Sequence, residues 1–383
     1  MRLTATCVFG TESVLAEELK NLSFSDVRSE NGRVNFNGTK EAIPKANIWL
    51  RSAERVYIEA ADFHAGDFNE LFEHAHSVEW SEFIPGEGRY PVNVTCINSA
   101  LHSVPDCQKI IKKAISRKLG EAYSLERLPE TGDVYAISAF IYKDRCRLYL
   151  DTTGVGLHKR GYRRYNVTAP ISETLAASLI GISYWNRSKP FLDPFCGSGT
   201  FVIEAAMMAK NIAPGRNRPF DSCKWPFIGE TVWKKHYEEA YDLETDHPVG
   251  LLSGSDIDGN ALEYCALHAQ AAAVDDVVSF RRCDVKDIQK TKDYGVIICN
   301  PPYGKRLLGH ADVTDLYREM GKKFSEYDTW SKYIITDYPG FEQVFGTNAD
   351  KKRKIYNGMI LCNFYQYFGP NPRERIFPLD TPL

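Results

Sequence analysis

Several features are missing from this 383-residue sequence, and each absence excludes a class of protein. No run of about 18 apolar residues occurs, so no membrane span is predicted, and the start lacks a charged-then-apolar export signal. The ten cysteines form no C-x-x-C pair, which removes the usual zinc and redox motifs. We therefore expect a cytoplasmic protein, outside the membrane, that requires no metal and keeps its cysteines reduced.

The sequence also lacks a strong net charge, because 47 Lys and Arg stand against 50 Asp and Glu, a balance of −3. This excludes a uniformly basic nucleic-acid binder. The charge is uneven, however: residues 102–165 contain 13 basic and 7 acidic residues, a local balance of +6 that leaves −9 elsewhere. Cations and aromatics mix without acids at the end of this segment, so we predict phosphate contacts there, with a solvated linker face as the alternative. The predicted contacts are Lys159, Arg160, Arg163 and Arg164.

The length predicts two or three domains. The hydrophobic pattern indicates two small α+β units, residues 1–62 and 63–165, and then regular βαβ alternation in residues 166–383. We expect this last region to form a doubly wound sheet that ends in an antiparallel hairpin with its turn at Asn357-Gly358. The nearly all-apolar stretch 294–300 predicts a central parallel strand that is buried on both faces.

The sharpest motif is the glycine-rich turn Asp193-Pro-Phe-Cys-Gly-Ser-Gly-Thr200, which leaves a short predicted strand and opens a predicted helix. Glycines at such a turn let backbone N–H groups approach a ligand at the carboxyl edge of an open sheet. No Lys-Ser/Thr follows and no third glycine arrives at dinucleotide spacing, so phosphate is not the obvious ligand. A tight turn without any ligand is the alternative.

Two acids follow the next predicted strands. Asp256 is placed to accept hydrogen bonds from both hydroxyls of a ribose, whereas Asp258 is better placed to cap the next helix. Asp284 ends the third strand, where a carboxylate can accept from the exocyclic amine of an adenine. Taken alone, either acid is more often a cap or a solvated strand end than a ligand contact.

The tetrapeptide Asn300-Pro301-Pro302-Tyr303 follows the apolar strand and therefore falls at the same sheet edge. The two prolines stiffen the loop, so the Asn300 side-chain oxygen and a nearby carbonyl become rigid acceptors. Tyr303 adds a flat face on which a base can stack. The arrangement suits the exocyclic amino group of a nucleobase.

With these motifs the sequence resembles the class I S-adenosylmethionine-dependent methyltransferases that methylate amino groups. More narrowly, it is similar to the bacterial THUMP-domain RNA methylases, the family of the 23S ribosomal RNA guanine-N2 methyltransferase. The resemblance spans about the whole chain and is carried by four segments. They are LDTTGVGLHKRGYR (residues 150–164), APISETLAASLI (169–180), LDPFCGSGTFVIEAA (192–206) and NPPYGKRL (300–307).

The resemblance implies a Rossmann-like methyltransferase domain preceded by a ferredoxin-like piece and a THUMP RNA-binding domain. It implies S-adenosylmethionine as cofactor and assigns Asn300, Pro301, Pro302 and Tyr303 to the target base. It also implies a cofactor pocket that a further set of residues lines. These are Asp193, Phe195, Gly197, Gly199, Thr200, Asp256, Ile257, Asp284 and Pro170.

The function that follows is methyl transfer to the exocyclic N2 of a guanosine, with 23S rRNA as the leading substrate. Guanine-N2 methylation of tRNA and adenine-N6 methylation of DNA or RNA are the enzymatic alternatives. A non-catalytic RNA-binding assembly factor is a third, although the four intact motifs count against it. Because the sequence stops at Leu383, soon after the predicted hairpin, we expect one catalytic domain rather than two.

Overall fold

The computed structural model describes residues 1–163, 171–247, 249–303 and 310–370. The chain divides into two compact units. The N-terminal unit contains residues 1–7, 15–157 and 215–242, and the C-terminal unit contains residues 8–14, 158–214 and the described chain beyond 242. None of the helices in these described ranges is long and apolar enough to cross a membrane.

One seven-stranded sheet runs through the whole N-terminal unit, in the order β2-β3-β1-β4-β7-β6-β5. The long strand β4 pairs with β1 on one side and with β7 on the other, so the two predicted α+β units share a sheet. The predicted boundary at residue 62 falls inside this strand. The strands are β1 Arg2–Cys7, β2 Ser25–Glu30, β3 Arg33–Asn37, β4 Ala53–His64, β5 Val92–Ile97, β6 Ile137–Tyr142 and β7 Arg145–Asp151.

Helices of the N-terminal region include one that the sequence prediction missed. This helix, α7, comes from residues far along the chain and buries Trp233, His236 and Ala240. Those three positions lie at helical spacing, so a signal for the helix was present. The helices are α1 Glu12–Asn21, α2 Ala42–Trp49, α3 Phe68–His76, α4 Val104–Tyr123 and α7 Glu230–Asp242.

A second seven-stranded sheet forms the C-terminal unit, in the order β10-β9-β8-β11-β12-β14-β13. Its first five strands are parallel, whereas β14 is antiparallel to both neighbours, which confirms the predicted doubly wound sheet with a terminal hairpin. The strands are β8 Phe191–Asp193, β9 Leu252–Asp256, β10 Val278–Arg282, β11 Val296–Cys299, β12 Ser331–Thr336, β13 Lys351–Asn357 and β14 Ile360–Tyr367. The helices are α5 Glu173–Ile182, α6 Thr200–Ala209, α8 Gly259–Ala271, α9 His310–Ser325 and α10 Phe341–Phe345.

The core of this unit lies on both faces of the sheet, as the apolar stretch 294–300 predicts. Val296 and Ile298 of β11 belong to the cluster that packs against α5 and α6. Ile297 and Cys299, which point to the opposite face, belong to the cluster that packs against α9 and α10. Packing on both faces fixes the carboxyl end of the strand, and therefore also fixes the point at which the following loop begins.

The terminal hairpin differs from the prediction by one residue. Asn357 pairs with Ile360 across the strands, so the turn residues are Gly358 and Met359 rather than Asn357-Gly358. Gly358 has φ +61°, which is the requirement at the first central position of a type II′ turn. Asn357 is therefore the last residue of strand β13, and its side chain contacts Tyr303.

Candidate functional site

Four parallel strands end at one edge of the C-terminal sheet and bring the predicted motifs together. Asp193 at the end of β8 is in register with Gly254 of β9, and Arg282 at the end of β10 is in register with Asp256. Strand β11 pairs with β8 on its other side. The glycine-rich turn and the loops after β9, β10 and β11 therefore leave the sheet side by side, as the sequence predicts for a doubly wound fold.

The glycine-rich turn has an open side and a packed side. Gly197 has φ +50°, and a Cβ added there would meet no atom within 4 Å, so the backbone faces open space. Gly199 has φ +83°, and its Cβ would come within 3.2 Å of the Cys265 Sγ atom. The first glycine leaves room for a ligand, and the second permits close packing of the turn.

Helix α8 holds the packed side of the turn through two donors that sequence reasoning missed. The Cys265 thiol donates to the Gly197 carbonyl at 3.0 Å, and His268 Nδ1 lies 3.2 Å from the Ser198 carbonyl. Burial lowers the pKa of His268, so the ring is neutral near pH 7 and donates one proton here. Neither contact has a sequence signature, because both residues lie about 70 positions from their partners.

Asp193 is almost completely buried at the base of the turn, and its carboxylate accepts a hydrogen bond from the Phe195 N–H at 3.0 Å. Burial raises the pKa of Asp193 well above its usual range, and the nearby Asp256 charge adds to the effect. A buried carboxyl of this kind is poised to gain from a cationic partner. S-Adenosylmethionine carries such cations on its ammonium and sulfonium groups.

Asp256 accepts hydrogen bonds from two backbone N–H groups at the same sheet edge. One of its oxygens accepts from the Gly197 N–H at 2.9 Å and the other from the Asp258 N–H at 3.0 Å. Each oxygen keeps a second lone pair for a ribose hydroxyl. Asp258 caps α8 by accepting from the Asn260 N–H, which is the capping role predicted for it. Ile257, 65% exposed beside Asp256, presents an apolar surface that suits the face of an adenine ring.

Asp284 lies at the start of a short 3₁₀ turn after β10 and accepts from the Lys286 N–H at 3.1 Å. The Lys286 ammonium is 3.3 Å from the second carboxylate oxygen. The capping alternative considered for Asp284 is therefore present in the structure. It does not exclude an adenine contact, because the carboxylate keeps free lone pairs.

The tetrapeptide after β11 contains an unsatisfied acceptor. Asn300 Oδ1 is buried and has no hydrogen-bond partner among the described residues. A buried polar atom without a partner costs about 1–3 kcal/mol, so such atoms are rare unless a ligand satisfies them. The next residues are fixed from behind, since Tyr317 of α9 donates to the Pro302 carbonyl at 2.9 Å and lies 2.8 Å from Thr336 Oγ1.

Tyr303 is partly buried against the core cluster, and its hydroxyl is held by the terminal hairpin. Asn357 Nδ2 donates to Tyr303 Oη at 2.6 Å. Burial raises the pKa of Tyr303, so the phenol is neutral at physiological pH. The Tyr303 side chain is thus positioned by Asn357, which lies 54 residues farther along the chain. The sequence prediction placed Asn357 in the hairpin turn and so did not indicate this contact.

The structure corrects two of the predicted phosphate contacts. The Arg160 side chain is only 2% exposed and faces Glu204 of α6, with Nε 3.5 Å from Oε1. Arg163 is 11% exposed, and its guanidinium lies 3.5 Å from Glu173 and donates to Thr200 Oγ1 at 2.5 Å. Both cations are paired inside the unit, because leaving a charge unpaired in the interior is costly.

Three other predicted residues have different outcomes. Lys159 is exposed, so a phosphate contact there stays a prediction. Arg164 and Pro170 lie outside the described residues. Cys196, adjacent to the glycines, is buried, and hydrogen bonding with Cys265 together with burial raises the pKa of its thiol.

The sheet order, the glycine-rich turn and the acids on the neighbouring strands define a class I methyltransferase. The residues fit S-adenosylmethionine, since Gly197 leaves open space at the edge and Asp193 and Asp256 supply carboxylates beside it.

Comparisons with known proteins agree with that class. The family described as "RMKL-like, methyltransferase domain" matches residues 160–366, the RlmL ferredoxin-like domain matches 2–57 and the THUMP domain matches 65–151. The putative RNA methyltransferase YpsC of Bacillus subtilis is 43% identical over 96% of each chain. The chain therefore belongs to the RMKL-like methyltransferase family.

Two solved structures share the fold over nearly the full length. SMU.472, a putative methyltransferase complexed with SAH, has a TM-score of 0.91 and 42% identity, covering 97% of this chain and 98% of its own. A predicted N6-adenine-specific DNA methylase from Listeria monocytogenes also has a TM-score of 0.91, with 44% identity and 96% of each chain covered.

Relatives named ribosomal RNA large subunit methyltransferase K/L are longer. The Psychromonas ingrahamii protein is 32% identical over 94% of this chain but only 49% of its own length. The chain thus spans about half the length of these K/L relatives.

Proposed function

We propose that this protein transfers the methyl group of S-adenosylmethionine to the exocyclic N2 of a guanosine in 23S ribosomal RNA. The observation that carries the proposal is the buried, unsatisfied Asn300 Oδ1 at the carboxyl end of β11. An acceptor in that position matches an N–H of an exocyclic amine. The THUMP domain match and the names of the K/L relatives support RNA, and ribosomal RNA in particular, as the substrate.

The tetrapeptide Asn300–Tyr303, which we call the target-base turn, supplies two acceptors. We assign the Asn300 side chain and the Pro301 carbonyl to the two N–H groups of the guanine amine. Hydrogen bonds to both would favour a pyramidal nitrogen whose lone pair is withdrawn from the ring and available as a nucleophile. Tyr303, fixed by Asn357, would stack on the base and hold it in the reactive orientation.

The turn at residues 193–200 and the loops after β9 and β10, which we call the cofactor loops, have a positioning role in this proposal. When bound, S-adenosylmethionine supplies a methyl group on an already activated sulfonium. Asp256 would hold the ribose hydroxyls, Asp284 and Ile257 the adenine, and Asp193 the cationic end. Proximity and orientation can then supply most of the acceleration, a contribution that reaches about 7–11 kcal/mol in well-oriented reactions.

The target guanosine must leave its helix, or already be single-stranded, before its amine can reach this turn. The N-terminal unit would bind neighbouring RNA structure. Of the predicted phosphate contacts, Arg160 and Arg163 are paired internally, whereas Lys159 is exposed; all three belong to the C-terminal unit. Docking by the N-terminal unit must therefore rely on cations other than these.

The test is methyl transfer from labelled S-adenosylmethionine to methylation-deficient 23S rRNA, 16S rRNA and total tRNA in separate reactions, followed by nucleoside analysis. We expect N2-methylguanosine in the 23S rRNA reaction. N2-methylguanosine confined to tRNA would redirect the proposal to tRNA. Label in N6-methyladenosine, or transfer only to DNA, would contradict it.

A further inference from the structure

The tip of the β13–β14 hairpin exposes a group of apolar side chains. Met359 is 96% exposed in the turn, and Leu361 and Tyr356 are 47% and 42% exposed next to it. Tyr356 and Leu361 are directly opposite each other in the ladder, so they share one face of the hairpin. Exposed apolar residues that cluster in this way mark an interaction surface more often than isolated ones do. We call Tyr356, Met359 and Leu361 the hairpin tip.

The hairpin tip lies next to the turn that we assign to the target base. Asn357, between Tyr356 and the turn, donates to Tyr303 Oη at 2.6 Å. The face of the hairpin that carries Asn357 also carries the buried Ile355 and Cys362 and packs toward the core. On the opposite face, Tyr356 and Leu361 are partly exposed near the turn, and the Tyr356 ring meets Phe9 edge-on with 6.5 Å between ring centroids. Farther from the turn the same face carries Tyr365, which is buried in the core.

Positive charge accompanies the apolar residues on the face that carries Tyr356 and Leu361. Lys352, Lys354 and Tyr356 occupy every second position of β13, so the three side chains lie on the same face. Lys352 forms an ion pair with Glu342 at 2.6 Å, whereas Lys354 is exposed and forms no ion pair with any described residue. The residues opposite the two lysines are Tyr365 and Asn363, so no acid faces them across the ladder.

Lysines on β13 have a second explanation, because β13 is the edge strand of its sheet and charged side chains discourage unwanted strand pairing. That explanation does not account for the apolar residues at the tip, which would promote association. Lysines beside an exposed aromatic residue are, by contrast, the combination that binds the backbone and the bases of a nucleic acid.

We propose that the hairpin tip contacts the RNA next to the extruded guanosine, with Tyr356, Met359 and Leu361 packing against the bases that flank it and Lys354 contacting the backbone. The tip would occupy the stacking position that the target base leaves and so stabilise the open helix. This inference rests on the proposed function and adds to it the means by which the base is kept out of its helix.

The experiment compares the wild-type chain with the double variant Met359→Ser/Leu361→Ser on two oligoribonucleotides that contain the mapped target guanosine. One oligoribonucleotide is single-stranded and the other is annealed to its complement. Leu267→Ser is the matched control, because Leu267 is 46% exposed on α8 of the same unit. Thermal unfolding of all three proteins establishes that the variants fold.

We expect the double variant to lower kcat/KM on the annealed substrate by about tenfold, an effect of the size that one base-stacking contact has. On the single-stranded substrate it should stay within about twofold of wild type, as the control should on both. Equal loss on both substrates, or no loss on either while the wild type is active, would overturn the role of the tip. Failure of the wild type to methylate guanine N2 would instead overturn the proposed function.

Photo-crosslinking gives an independent readout. A benzophenone amino acid replacing Met359 should crosslink to the annealed RNA within a few nucleotides of the target, and the same group replacing Leu267 should not. A crosslink from position 359 to a second copy of the chain, with none to RNA, would identify the tip as a self-association surface and contradict the proposal.

Discussion

The cofactor loops and the target-base turn lie at the same sheet edge but satisfy their polar groups in opposite ways. Both Asp256 oxygens and the Asp193 carboxylate already accept backbone hydrogen bonds within the chain. Asn300 Oδ1, in the turn directly after strand β11, accepts none from the described residues. The cofactor loops therefore hold their shape through hydrogen bonds within the chain, whereas the turn leaves one buried acceptor unsatisfied.

The largest expected effect comes from removing the unsatisfied acceptor Asn300 Oδ1. Asn300→Ala should lower single-turnover methyl transfer by about 100-fold or more, the size seen when one preorganised group is removed from a reacting centre. Affinity for S-adenosylhomocysteine, measured by calorimetry, should be nearly unchanged. The free energy of unfolding should not fall, because the variant loses an atom that is unsatisfied. Equal losses of cofactor affinity and transfer would show that Asn300 is structural.

The second effect tests the cofactor side. Asp256→Ala should weaken binding of S-adenosylhomocysteine by about 10- to 150-fold, equivalent to about 1.5–3 kcal/mol for a charge-assisted hydrogen bond. Asp258→Asn is the matched control, because asparagine caps a helix as well as aspartate does and affinity should be unchanged. If both variants bind alike, Asp256 serves only to hold Gly197.

The third prediction concerns Asp193, whose pKa is raised by burial. Because the folded pKa lies above the unfolded value, the folded state binds more protons, and this contribution to stability is lost as pH rises from about 4 through the folded pKa. Asp193→Asn should remove that loss. The free energy of unfolding of the variant should therefore rise relative to that of the wild type as pH rises, by at most about 1.4 kcal/mol per pH unit. Denaturant unfolding without cofactor measures it, and parallel pH curves would contradict it.

The smallest effect concerns the contact that joins the target-base turn to the hairpin. Asn357→Ala and Tyr303→Phe each remove the same hydrogen bond, worth about 1 kcal/mol, and should raise the KM for RNA by about fivefold with little change in kcat. The double variant should be no worse than either single one. Additive losses would mean that the two residues act on the RNA separately.

Local patterns predicted most of this site because its motifs lie directly after strands. The glycine turn, Asp256 and the Asn300 tetrapeptide each follow a strand whose apolar run is visible, and parallel strands end at one edge. What could not be predicted are partners distant in sequence: Cys265 and His268 under the turn, Tyr317 behind Pro302, and Asn357 on Tyr303. Such contacts depend on tertiary packing, which leaves no periodic trace.

The charge balance of a sequence segment fails to describe its surface for the same reason. The +6 segment includes Arg145 and Arg147, yet both pair with Asp62, which lies outside the segment. Lys118 likewise pairs with Glu79. A local charge balance describes a surface only when the compensating residues are local too, and across a sheet they are not.

Helix α7 has a consequence for dissecting the protein. Residues 215–242 follow the first strand and helix of the C-terminal sheet in the chain but fold with the N-terminal unit, where Trp225 stacks on Tyr135 and donates to the Val134 carbonyl. A fragment that begins at residue 158 would carry this segment without the sheet it packs on, and would expose Trp225 and Trp233 to water. A single cut of the chain therefore releases neither unit intact.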